Sequence, residues 1–94
     1  MDNSEKKPVL LQFTATWCGP CKVLTPIING LEEKVKAVVD IRRVDVDQES
    51  DLAGDFLIRG VPTLVLLDKN GGIHWRHTGL VSEKDILRKI ETLQ

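Results

Sequence analysis

Residues 16–22 read Thr16-Trp17-Cys18-Gly19-Pro20-Cys21-Lys22 and join two stretches of opposite character. Before them, Val9 to Ala15 (VLLQFTA) is a short apolar run interrupted by Gln12. That pattern suits a strand buried on both faces of a parallel sheet. After them, Val23, Leu24, Ile27, Ile28, Leu31 and Val35 recur at helical spacing from Lys22 to about Lys36. Pro26 lies inside that periodicity and removes one backbone hydrogen bond, so a kinked helix is expected, weakened further by Gly30. Two short helices are the alternative.

Further along, Val38 to Asp47 alternates in part and reads as a strand, and Gln48 to Leu57 as a short helix. Arg59-Gly60-Val61-Pro62 is a turn, Thr63 to Leu67 a second apolar strand, Lys69-Asn70-Gly71-Gly72 a hairpin turn and Ile73 to Thr78 a third strand segment. Ser82, with Asp85 beyond it, opens a last helix whose apolar stripe is Ile86, Leu87, Ile90 and Leu93. The order is β-α-β-α-β-β-α. It starts with a parallel strand pair joined by a right-handed helical crossover and ends with a hairpin and helix. The expected fold is α/β, with a four-stranded mixed sheet flanked by helices. Residues 1–7 are expected to form a polar N-terminal segment and residues 8–94 the domain.

Composition narrows the function. Lys and Arg total 13 against 14 Asp and Glu, and the pI is near 6.1. A broadly basic nucleic-acid binder would have a pI above about 9 with clustered cations. No apolar run approaches the roughly 18 residues of a membrane span. Met1 to Lys7 is polar and lacks the apolar core of a signal peptide, so a cytoplasmic location is expected; a chain trimmed of its leader would read the same. Both cysteines fall in the one motif. A bridge between them closes so short a loop that the entropy gain is only about 2 kcal/mol. Stability must come from the core, and the cysteines are available for chemistry.

A Cys-x-x-Cys pair between a strand and a helix has a physical logic. The unpaired amides and dipole at a helix start favour a thiolate. Cys18, expected to be the more exposed thiol, should have a depressed pKa and act as nucleophile. Cys21, in the first turn, is placed to attack a mixed disulfide formed by Cys18. Pro20 suits the first turn, where its missing amide proton costs little, and it stiffens the loop.

The stretch Trp17-Cys18-Gly19-Pro20-Cys21-Lys22 resembles the active-site motif of the thioredoxin family. Gly60-Val61-Pro62-Thr63 resembles that family's loop with a cis-proline facing the disulfide, Pro26 its helix-kinking proline, and Gly79 its glycine near the active-site surface. The resemblance runs from about Pro8 to Gln94, with matching spacings. It implies reduction of protein disulfides by dithiol–disulfide exchange. It also implies client proteins as partners, an NADPH-dependent thioredoxin reductase that restores the dithiol, and no cofactor besides the Cys18–Cys21 disulfide. A monomer with no nucleic-acid or membrane partner is expected. Trp17, Gly60, Val61, Pro62 and Gly79 map onto the apolar rim that receives clients, and the backbone of Val61 onto the edge that pairs with an extended client segment.

Two departures stand out. Gln12 falls where typical thioredoxins carry a buried aspartate below the resolving cysteine, and Arg43 where the family commonly places a lysine near that acid. Glutamine cannot ionise. Either Gln12 is a satisfied core amide and Arg43 a surface residue, or resolution by Cys21 passes its proton to water or to the Cys18 thiolate. The second departure is at the start, where typical members have an extra strand and helix before the Val9 strand. Only about eight residues precede that strand here, so by family topology Val38–Val46 is expected to be a sheet edge, where its charges Asp40, Arg42, Arg43, Asp45 and Asp47 would discourage edge-to-edge pairing.

Other readings are weaker. His74 and His77 are too close together for a zinc-finger pair and far from the cysteines in sequence, so no metal site is expected. Phe13 and Phe56 are expected in the core. Lys22 and Arg59 lie near the motif, either as solvated charge or as determinants of client charge preference. A scaffold that merely retains the motif is an alternative, as is an oxidase or isomerase of the same fold. Gly19-Pro20 resembles the reducing members.

Overall fold

The computed structural model describes residues 6–94, so most of the N-terminal segment 1–7 lies outside the described residues. The elements are β1 (Val9–Thr14), α1 (Gly19–Val35), β2 (Asp40–Asp45), α2 (Ser50–Asp55), β3 (Thr63–Leu67), β4 (Ile73–Thr78) and α3 (Glu83–Glu91). They form one four-stranded mixed sheet in the order β2-β1-β3-β4. The strand β1 runs parallel to β2, antiparallel to β3, and β4 is antiparallel to β3.

Strand β1 is apolar on both sides because both faces of the sheet are covered. Leu10 packs with Leu64 and Leu66 against Leu24, Ile28 and Leu31 of α1 and Ile86 and Ile90 of α3. Leu11 and Phe13 point the other way, with Val44, Val65 and Ala53 of α2. Phe56 is only partly buried but stacks at a tilt on Phe13, ring centroids 5.7 Å apart. Alternation along β1 puts Gln12 on the Leu10 side, facing α1.

Helix α1 stays a single helix through Pro26, so the two-helix alternative does not hold. Its interior ridge of Leu24, Ile28, Leu31 and Val35 is buried and holds it against the sheet. Helix α3 starts where expected: the Ser82 hydroxyl accepts the Asp85 amide at 3.1 Å. The elements around the first crossover are shorter than the sequence suggests. Strand β2 begins late because the Val38 and Val39 amides turn back to the Val35 carbonyl. It ends early because the Asp45 carboxylate accepts the amides of Asp47 (2.8 Å) and Gln48 (3.2 Å), a local turn that competes with both strand and helix. Helix α2 ends at Asp55, and Leu57 then takes a positive φ of 54°. Gly71, with φ 89°, supplies the left-handed turn before β4.

Strand β2 is an edge of this sheet. Its charges are tied to neighbouring elements rather than left as a solvated row. Arg42 pairs with Glu49 at 2.6 Å, Arg43 with Glu32 at 3.2 Å, and Asp40 lies 3.9 Å from Lys7.

Candidate active site

The site lies where β1 runs into α1. Cys18 is the N-cap of α1, and Gly19 and Pro20 begin its first turn. Cys18 and Cys21 are joined as a disulfide, with Cα atoms 5.3 Å apart. The Cys21 amide donates to Cys18 Sγ at 3.1 Å. A cysteine sulfur thus occupies the capping place usually taken by a serine, threonine or aspartate oxygen. The first turn carries no acidic side chain. The unpaired amides and the dipole therefore act on that sulfur without an opposing carboxylate on the same turn.

The expected difference in exposure between the cysteines is nearly absent. Cys18 is 4% exposed and Cys21 2%. The reason is the cap itself: Cys18 Sγ turns in toward the helix amides, and Ala15, Val46 and Val61 pack around both cysteines. Val61 brings the turn before β3 onto the disulfide. The Val61–Pro62 bond is cis, as the family resemblance implies, and Pro62 is buried. The Pro62 carbonyl accepts the Gly79 amide at 2.8 Å, and Gly79 has φ 103°, a conformation that glycine adopts freely. Val61 lies beyond the last rung of β3 and pairs with no strand among the described residues. Trp17 stands on the surface, 68% exposed, its indole Nε1 donating to the Asp47 carboxylate at 2.8 Å. Trp17, Gly60 and Val61 face one another across a hollow of about 160 Å³ that Val46, Ile58 and Arg59 complete.

Below the disulfide, Gln12 is fully buried. Its Nε2 donates to Thr25 Oγ1 at 3.1 Å, and the Thr25 hydroxyl donates to the Cys21 carbonyl at 2.9 Å. The hydroxyl proton is committed to Cys21, so Thr25 must accept from Gln12, which fixes the amide with its nitrogen toward Thr25. Gln12 Oε1 is left buried without a partner. The amide is therefore only half satisfied, contrary to the reading of Gln12 as a satisfied core residue.

Arg43 does not join this group. Its Cα pairs with that of Gln12 across the parallel strands. Its long side chain nevertheless runs out over α1 to Asn29 and Glu32. A guanidinium is costly to bury, and at a sheet edge it reaches solvent along the helix. The sequence reading also missed two contacts. Thr25 lies one helical turn after Cys21, the spacing at which a threonine hydroxyl returns to a carbonyl, so it was findable. Asp47 was read only as an edge charge, and its contact with Trp17 spans the whole crossover. His74 contacts Thr92 and His77 the Leu80 carbonyl. Among the described residues no group of three or more His, Cys, Asp or Glu is placed to hold a metal ion. No helix among them is long and apolar enough to cross a membrane.

Comparison with known proteins agrees with this geometry. The family model described as Thioredoxin matches residues 2–92. A thioredoxin from Rickettsia conorii is 36% identical over 94 residues, covering 93% of this chain and 89% of that protein. Thioredoxin Y2, chloroplastic, from Arabidopsis thaliana is 35% identical over 91 residues, covering 97% of this chain. The chain spans 53% of that plant protein's length. The solved structure of a single-site mutant of a thioredoxin from Halobacterium salinarum superposes with a TM-score of 0.86 at 37% identity, covering 96% of this chain and 77% of that one.

Proposed function

The chain belongs to the thioredoxin family, and on that premise we propose that it reduces disulfides of client proteins, with Cys18 as nucleophile and Cys21 as resolving thiol. The redox-active group is the Cys18–Cys21 pair. One observation carries the assignment of roles: Cys18 Sγ, and not Cys21 Sγ, is the sulfur that receives a helix-start amide. Once the bridge is reduced, that sulfur is the one whose negative charge the helix stabilises.

The Cys18 thiolate attacks one sulfur of a client disulfide. The client S–S bond breaks, its other sulfur leaves as a thiolate that takes up a proton, and a Cys18–client disulfide forms. Cys21, losing its proton, attacks Cys18 Sγ. The mixed disulfide breaks and the client leaves with both sulfurs reduced, while two electrons have passed from the cysteine pair. Gly19 and Pro20 hold the first turn that keeps Cys21 within reach of Cys18. Trp17, Gly60, Val61, Pro62 and Gly79 receive the client, whose extended backbone pairs at Val61, the open position beyond β3. Gln12 bears on the resolving step through Thr25 and the Cys21 carbonyl, whereas Arg43 is tied to α1 through its ion pair with Glu32 and its hydrogen bond to Asn29.

A thioredoxin reductase drawing on NADPH restores the dithiol, and the reaction runs in a reducing compartment, the cytoplasm. The Gly19-Pro20 pair between the cysteines supports this direction. The protein works as a monomer, a reading supported by the ion pairs that occupy the β2 edge.

The test is reduction of insulin disulfides in the presence of NADPH and thioredoxin reductase. Wild type is expected to turn over. Cys18→Ser is expected to fall to the uncatalysed rate, and Cys21→Ser to accumulate a mixed disulfide with its client. Full activity in Cys18→Ser would overturn the assignment.

A further inference from the structure

Beside the client rim lies a second cavity, of about 470 Å³, lined by Leu57, Arg59, Gly60, Arg76 and Thr78. Apart from Gly60, none of its lining residues is assigned to client binding or exchange above. It shares Arg59 and Gly60 with the smaller hollow next to Trp17, so Arg59 stands between the two. Among the described residues, neither cavity has an aspartate or glutamate in its lining.

The two arginines are employed differently. Arg76 donates to the carbonyls of Phe56 and Leu57, the latter at 2.8 Å, and so holds the loop in which Leu57 has positive φ. Arg59 is exposed and takes part in no hydrogen bond or ion pair among the described residues. Leu57, 69% exposed, adds an apolar wall to the same cavity. An unpaired guanidinium beside an apolar wall, one residue before Gly60-Val61, is suited to a side chain with an aliphatic stem and a carboxylate tip. Arg presents a planar donor fork that matches a carboxylate.

We infer that this cavity is a specificity subsite for an acidic residue, aspartate or glutamate, flanking the reactive cysteine of the client polypeptide, with Arg59 as its anchor. The inference rests on the reductase reading and deepens it. Arg59 contributes to client choice, not to the exchange chemistry, so its effect falls on the ratio between clients rather than on the rate for a neutral one. The contact is open to solvent, so it weakens with salt.

The experiment uses disulfide peptides identical except for Glu, Gln or Lys at one position, scanned over the positions on either side of the reactive cysteine. The readout is kcat/KM for wild type, Arg59→Gln, Arg59→Glu and Lys69→Glu, the last making the same charge change on the hairpin turn. At the preferred position, wild type is expected to favour Glu over Lys by about threefold to tenfold, less at high salt. Arg59→Gln brings the ratio near unity, Arg59→Glu inverts it, and Lys69→Glu keeps the wild-type ratio. Normal reduction of the Gln peptide with no charge preference at any position, or a preference unaltered by both Arg59 variants, overturns the subsite and leaves the reductase reading standing. Failure of wild type to reduce any peptide overturns both.

Discussion

Beneath the disulfide, Gln12 is wholly buried, bonded once through Thr25 and left with an unpaired carbonyl oxygen. Around the disulfide, Trp17 and Leu57 are more than two-thirds exposed, the Trp17 indole held by Asp47 and the Leu57 carbonyl by Arg76. The floor is thus a place where a single polar atom is costly: an unsatisfied buried carbonyl costs about 1–3 kcal/mol. The rim is a place where polar atoms are cheap and apolar ones are left uncovered. Changes in the floor should therefore register in stability and pH dependence, and changes in the rim in client turnover.

The largest expected effect comes from Gln12→Asp. Burial without a paired cation favours the neutral acid and raises its pKa in the folded state above the unfolded value of about 3.9. Between those two values the folded state keeps a proton that the unfolded chain has lost, so stability falls with rising pH until the folded value is passed. Urea unfolding should show a loss of about 3 kcal/mol at neutral pH and a much smaller one near pH 4. Gln12→Leu removes the unpaired oxygen and leaves the Thr25–Cys21 bond in place. It should be within about 1 kcal/mol of wild type, or more stable. Equal stability of the Asp variant at both pH values would show that the floor is not dry.

The rim responds in the other variable. Trp17→Ala should lower kcat/KM for protein clients by about tenfold while changing unfolding free energy by no more than about 1 kcal/mol, since the ring is exposed. The converse result, unchanged turnover with a large loss of stability, would make Trp17 part of the core. The smallest effect belongs to Arg43→Ala. Its ion pair with Glu32 has more than a third of each side chain exposed, so the loss should be under about 1 kcal/mol, with turnover unchanged. A change in turnover would return Arg43 to the site.

Most of the scaffold was legible because each pattern has one physical cause. A run such as Leu10-Leu11 needs both faces of β1 covered, the α1 periodicity needs one, and Ser82 supplies a cap. The motif was legible as chemistry because a sulfur at a helix start meets unpaired amides, whereas the role of the turn before β3 was legible only through its resemblance to the family's loop. What stayed hidden depends on side-chain conformation rather than sequence spacing. Asp45 folds back on its own following amides and shortens β2 and α2 together. Arg43 shares a register position with Gln12 yet leaves along α1. Cys18 is covered because its sulfur is turned into the cap. The Trp17–Asp47 contact joins residues brought together only by the crossover.

The central claim is that this dithiol donates electrons, and equilibrating the Cys18–Cys21 pair against a glutathione redox buffer tests it most directly. A potential more reducing than the glutathione couple is expected, near the value of about −270 mV known for thioredoxin. A potential near about −120 mV, that of a strong dithiol oxidant, would contradict it.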